Sequence, residues 1–146
     1  MSNKSKTNKV LISIWADPSN YLNLLFLINY LIKNGKKITL ICEKIHNKND
    51  FFYFVENSNK LSVIEINSHG KYGYIKFFIY KIWIITKFRF DMMISVNFIS
   101  LFFSLFSSLF FRLHKTKWIY YNFDFDSGIK FNLNNFLLSY FTIFFN

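Results

Sequence analysis

The chain has 146 residues, which is enough for one compact domain and too few for two. Hydrophobic residues make up 52% of it, and this share excludes wholesale disorder. The net charge of +10 favours anionic partners, yet among the 18 basic residues only Arg89 and Arg112 are arginines. Because recognition of bases and phosphates relies on arginine, the balance is against sequence-specific nucleic-acid binding, which rests on charge alone and ranks last, and an anionic membrane surface is favoured.

Short apolar, β-branched runs alternate with helical patterns behind a basic tail at residues 1–8. Predicted strands are residues 9–15, 37–42, 61–66, 91–96 and 117–122, and predicted helices are 21–33, 51–55, 74–88, 98–113 and 133–145. Ser19 or Asn20 is expected to cap the first helix, and Gly35 to end it in the left-handed conformation. This alternation predicts an α/β, Rossmann-like open parallel sheet of about five strands with helices on both faces. Residues 9–146 are expected to form this single domain.

Residues 92–111 are free of charge and long enough to cross a bilayer. A small non-catalytic protein, either integral to a membrane or associated with it, is therefore an alternative. Against a span, serines recur through the stretch at helical spacing, as at Ser100 and Ser104, with Phe102 and Phe106 opposite them. Such a small-residue face fits close packing on a sheet, and a strand followed by a helix completes the alternation.

Cysteine and histidine usage argues against redox and metal chemistry. Cys42 is the single cysteine, so no internal disulfide forms, and its place in an apolar run predicts a buried, inert thiol in a reducing compartment. His46, His69 and His114 share no metal-ligand spacing, so no metal site is expected. Dinucleotide and phosphate-loop fingerprints are absent, and we expect no cofactor. No signal peptide is recognisable, which points to the cytoplasm.

Polar residues follow several predicted strands at the edge where open parallel sheets bind ligands. Asp124 is a candidate general base or acceptor contact, with a solvated loop carboxylate or helix cap as the alternative. The candidate substrate-binding residues are Asp17, Asn97, Asn122 and Asp126. For Asp17 an Asx turn before Pro18 is an equal alternative, and the asparagines can instead satisfy loop backbone.

Residues 71–89 mix basic and aromatic side chains, a combination suited to a membrane interface. The predicted membrane-surface residues are Lys71, Lys76, Lys81, Trp83, Lys87 and Arg89. Their charges do not share one clean helical face. The alternative is a helix that covers the sheet and has a solvated basic edge.

Four segments together resemble the N-terminal domain of retaining GT-B-fold glycosyltransferases that build bacterial surface polysaccharides, a family 4-like group. They are residues 9–14 (KVLISI), 31–42 (LIKNGKKITLIC), 90–101 (FDMMISVNFISL) and 118–124 (WIYYNFD). The likeness covers about residues 9–126 and rests on the order and spacing of these segments. Lys36 stands where the family usually has histidine, and residues 16–20 lack the glycines that many members place beside the donor phosphates.

The resemblance implies transfer of a hexosyl-type sugar from a nucleotide-sugar to a lipid-linked or saccharide acceptor, peripheral to the inner face of the cell membrane. This chain then supplies the acceptor side. The family's donor site, with its paired glutamates, lies in a C-terminal domain. We therefore expect a chain truncated at its C-terminus, or a separate C-terminal donor-binding chain, and no activity from the isolated chain.

Overall fold

Five parallel strands form one sheet in the computed structural model, which describes residues 8–55, 59–67, 72–111 and 116–121. The strands are β1 (Lys9–Ile14), β2 (Lys37–Glu43), β3 (Leu61–Ile66), β4 (Met92–Val96) and β5 (Lys117–Tyr121). Their order across the sheet is β3-β2-β1-β4-β5. The predicted α/β, Rossmann-like parallel sheet is confirmed, and β3 and β5 lie at its edges.

Four helices and one short turn connect the strands within these ranges. They are a 3-10 turn (Pro18–Asn20), α1 (Leu22–Lys33), α2 (Lys48–Phe54), α3 (Gly73–Lys87) and α4 (Phe98–Phe111). The uncharged stretch 92–111 is therefore divided into β4 and α4. Across the described ranges, every helix is too short or too polar to cross a membrane. The helix predicted at 133–145 lies outside the described residues.

The core has two layers because β1 at the centre of the sheet is buried on both faces. Val10, Ile12 and Ile14 pack with α1 and α2 on one face. Leu11 packs on the other face with residues of α3 such as Phe77. Burial of both faces explains why the central strands read as continuous apolar runs.

The ends of α1 show one correct and one wrong prediction. Gly35 has a φ of 75° and its N–H donates to Ile32 O, while Lys36 N–H donates to Leu31 O, each over 3.0 Å. This is the expected left-handed helix end, in the form of a Schellman motif. At the other end, neither Ser19 nor Asn20 caps α1. Both belong to the 3-10 turn, which Asp17 caps instead.

Candidate functional site

The candidate site lies at the carboxyl edge of the sheet, where the strand order reverses. Strand β1 has β2 on one side and β4 on the other. The loop after β1 leads to α1 on one face, and the loop after β4 leads to α4 on the opposite face. In open α/β sheets, loops that diverge in this way leave a crevice that binds ligands.

Asp17 lies in the loop after β1 and is almost fully buried. Its Oδ1 accepts from Ser19 N (2.9 Å) and Ser19 Oγ (2.7 Å), and its Oδ2 accepts from His46 N at 2.9 Å. Burial by itself raises the pKa of Asp17, but the hydrogen bonds from His46 and Ser19 outweigh it and leave the pKa below its ordinary value. The Asx-turn alternative for Asp17 is thus realised, and its carboxylate joins the loops after β1 and β2.

Asn97 lies at the matching position after β4. Its Nδ2 donates to Trp15 O over 3.1 Å, which ties the β4 loop to the β1 loop. Its Oδ1 accepts from Ser100 N over 3.1 Å and so caps α4. Its backbone φ of 67° is left-handed, a conformation that asparagine tolerates better than most residues. Asn97 therefore lies at the predicted edge, where its side chain already serves both loops.

His46 is a residue of this edge that sequence reasoning considered only as a metal ligand. Its Nδ1 lies 3.1 Å from Asp17 Oδ2, and its side chain is 67% exposed while that of Asp17 is 8% exposed. The relevant signal was available, because His46 follows a predicted strand of the parallel sheet, as Asp17 and Asn97 do. The described residues contain no cluster of three or more metal-ligating side chains.

The remaining predicted site residues, Asn122, Asp124 and Asp126, lie outside the described residues. Strand β5 is described as far as Tyr121 and pairs with β4.

The predicted membrane-surface set is corrected at Lys81, which is fully buried. Lys76, Trp83, Lys87 and Arg89 are exposed as expected, and Lys71 lies outside the described residues. Lys87 Nζ lies 4.7 Å from the centroid of the Trp83 ring. Lys81 differs because it lies on the same buried face of α3 as Phe77 and Ile84, and this face packs on the sheet.

The Lys81 side chain ends in a cluster of serines between α3, β1 and α4. Its Nζ donates to Ser13 Oγ and Ser100 O, each over 2.8 Å, and also contacts Ser104 Oγ. Ser95 Oγ lies 2.5 Å from Ser104 Oγ and extends the cluster to β4. Burial lowers the pKa of Lys81 well below its ordinary value. All of these groups are sealed from solvent, so the cluster is a feature of the core and not a site for a ligand.

Comparisons with known proteins bear on the fold alone. No family model matches the chain, and no curated protein matches it. The chain is similar to two crystal structures of the C-terminal domain of PF1911 hydrogenase from Pyrococcus furiosus. One has 9% identity and a TM-score of 0.56, covering 80% of this chain and 92% of that one. The other has 10% identity and a TM-score of 0.53, covering 82% and 95%. At such identity, the likeness shows an α/β fold of this type and carries no activity with it.

Proposed function

We propose that this domain holds the acceptor in a glycosyl-transfer reaction from a nucleotide-sugar to a lipid-linked or saccharide acceptor at the inner face of a cell membrane. The observation that carries the proposal is the position of the four segments on which the resemblance rests. They contain β1, the end of α1 with β2, and β4 with the start of α4, and the fourth segment, as far as Tyr121, belongs to β5. All four belong to one parallel sheet and lead to the same carboxyl edge.

The chemistry of this edge suits a polyhydroxylated ligand. The partly buried Trp15 offers an aromatic surface, and the exposed His46 imidazole offers a hydrogen-bonding group. A mainly apolar surface with a few placed polar groups is the usual composition of small-molecule sites.

A second surface supports the membrane part of the proposal. We define the α3–α4 surface as the outward side chains of these two helices: Ile75, Lys76, Ile79, Trp83, Lys87, Phe102 and Phe106. Phe78 connects the two helices, since its ring lies 5.4 Å from that of Phe106. Neither helix contains an acidic residue, so Lys76 and Lys87 face outward without acidic neighbours on α3 or α4. Apolar side chains with cations and no anions favour an anionic bilayer.

The α3–α4 surface adjoins the candidate site. Tyr74, in the first turn of α3, has its ring centroid 4.7 Å from that of Trp15. An acceptor whose lipid tail lies in the bilayer therefore has a short path to the carboxyl edge. This proximity is our reason for preferring a lipid-linked acceptor.

Acceptor binding is tested by NMR titration of the chain with methyl glycosides of glucose, galactose and N-acetylglucosamine, and separately with UDP-glucose and GDP-mannose. We expect the glycosides to shift signals of Trp15, His46 and Asn97, and the nucleotide-sugars to bind weakly. Sugar transfer catalysed by the chain alone would contradict an acceptor-only role. Glycosides that leave all three residues unperturbed would contradict acceptor binding.

Membrane binding is tested by sedimentation with phosphatidylglycerol and phosphatidylcholine vesicles. Ile79→Ser is expected to weaken binding to the anionic vesicles about tenfold, because it removes most of one apolar side chain that inserts into the bilayer. Phe26→Ser is the matched control, since Phe26 lies on α1 at the opposite face and is 59% exposed against 58% for Ile79. Equal weakening by both variants, or equal binding to both lipids, would contradict the proposed surface.

A further inference from the structure

We propose that His46 Nε2 is the hydrogen-bond acceptor for a ligand hydroxyl at the carboxyl edge, and that Asp17 is the residue that positions it. The hydroxyl-bearing class of ligand rests on the proposed function above. The Asp17–His46 pair itself rests on geometry alone.

The pair combines a buried carboxylate with an exposed ring. Asp17 Oδ2 lies 3.1 Å from His46 Nδ1, and the carboxylate is held by two further hydrogen bonds from Ser19. The backbone beside His46 is fixed as well, because Asn47, the next residue, caps α2. His46 is therefore fixed between the end of β2 and the start of α2, with its ring pointing away from the core.

The hydrogen bond selects one form of the neutral imidazole. An ionised carboxylate can only accept, so the proton shared with Asp17 belongs to Nδ1. Nε2 then carries a lone pair and is an acceptor. A ligand hydroxyl is a donor that matches this atom, whereas a backbone carbonyl or a carboxylate is not.

The side-chain bond is not needed to hold the two loops together. His46 N–H already donates to Asp17 Oδ2 over 2.9 Å, which joins the loop after β2 to the loop after β1. An exposed ring contributes little packing, and ordering it costs side-chain entropy. Its fixed orientation is thus better explained by recognition than by stability.

The first experiment determines the tautomer of His46 by proton–nitrogen correlation NMR at a pH where the imidazole is neutral. His46→Gln assigns the signals by their loss. We expect a protonated Nδ1 and a bare Nε2 in the native chain. Asp17→Asn is expected to shift the ring toward a protonated Nε2, because a neutral amide holds the Nδ1 proton less strongly than a carboxylate and has only one oxygen to accept from Ser19 and His46. Asp91→Asn, which alters an exposed carboxylate just before β4 at the opposite end of the sheet, is the matched control and should leave the tautomer unchanged.

A protonated Nε2 in the native chain would overturn the inference, and so would an unchanged tautomer in the Asp17→Asn variant. Circular dichroism of each variant separates loss of the pair from loss of the fold.

The second experiment repeats the methyl glycoside titration with His46→Leu. Loss of one hydrogen bond to the ligand should weaken binding about three- to tenfold. Unchanged glycoside affinity in this variant overturns the present inference and leaves the proposed function standing. If glycosides bind nowhere at the edge while the tautomer is as expected, the proposed function fails and the Asp17–His46 pair remains.

Discussion

Lys81 Nζ lies 2.8 Å from Ser13 Oγ, so the amine of a helix residue bonds to the central strand inside the core. The lysine passes between α3 and α4 and is met there by hydroxyls of β1 and α4. An ammonium group held by uncharged partners in a dry environment is costly to keep charged. This arrangement determines how stability should respond to pH.

We expect Lys81→Met to unfold with a higher free energy than the native chain at about pH 7, by on the order of 1 kcal/mol. The folded pKa of Lys81 is lowered by burial, whereas an unfolded lysine titrates near 10.4. Between these values the unfolded chain binds more protons, so native stability rises with pH across this window and is lost as pH falls through it. The advantage of the methionine variant should therefore shrink toward about pH 10.

Urea unfolding of both proteins at the two pH values measures this difference, and other titrating groups cancel between them. Lys76→Met, on the exposed face of the same helix, should show no such pH dependence. A Lys81→Met variant that is less stable by the same amount at both pH values would show that the amine acts only through packing.

Ser104→Leu should destabilise the domain by about 1–3 kcal/mol, because it adds volume where α4 lies closely on the sheet. Ser104 is fully buried and its Oγ donates to Ser100 O over 2.8 Å. Phe102→Leu, on the outward face of the same helix, is expected to change stability by less than about 0.5 kcal/mol. Thermal unfolding compares the two variants, and a larger effect at Phe102 would reverse the assigned faces of α4.

Asn97→Ala should cost more stability than Asn97→Gly. Both variants lose the cap of α4 and the bond to Trp15, worth about 1 kcal/mol. Only alanine adds the strain of a left-handed backbone, which costs about 1–2 kcal/mol, because glycine adopts a φ of 67° freely. Denaturant midpoints measure the order of stability, and equal loss in the two variants would indicate that the backbone relaxes.

The Cys42 thiol should not react with a disulfide reagent such as DTNB while the chain is folded. Burial raises the pKa of this thiol, and the nearby carboxylate of Glu65 raises it further, so the reactive thiolate is scarce as well as inaccessible. Reaction should follow the rate of unfolding and speed up as urea is added, and the fully denatured chain is the reference. Rapid modification under native conditions would contradict burial of β2 at this position.

The choice between a membrane span and a layered domain illustrates what pattern can decide. The serines in residues 92–111 recur at helical spacing, and the buried positions of Ser100 and Ser104 beside exposed Phe102 and Phe106 confirm the predicted faces of α4. In contrast, Lys81 was assigned to the surface because a lysine within an aromatic stretch is typical of a membrane interface. Serines of β1 and α4 make its burial possible, and the contact of these two elements with α3 is not visible from local sequence.

The candidate site also has features that the sequence predicted and features that it did not. Asp17 and Asn97 were predictable because each follows a buried strand, and parallel strands end at one edge. Their hydrogen bonds were not predictable. Both side chains were expected to contact a ligand, and in the structure each one bonds to a neighbouring loop. His46 was passed over because its partner lies 29 positions away.

Sequence order alone determined the strands, the helices and the α/β class, because hydrophobic period and helix-ending residues act locally. Only the tertiary structure decided which polar groups form hydrogen bonds with each other. The ring of His46 bonds to Asp17, and the amine of Lys81 bonds to serines. These hydrogen bonds depend on the strand order β3-β2-β1-β4-β5, which places the ends of β1, β2 and β4 side by side. Strand order follows from how the helices pack on both faces, a property of the whole domain that no single segment encodes.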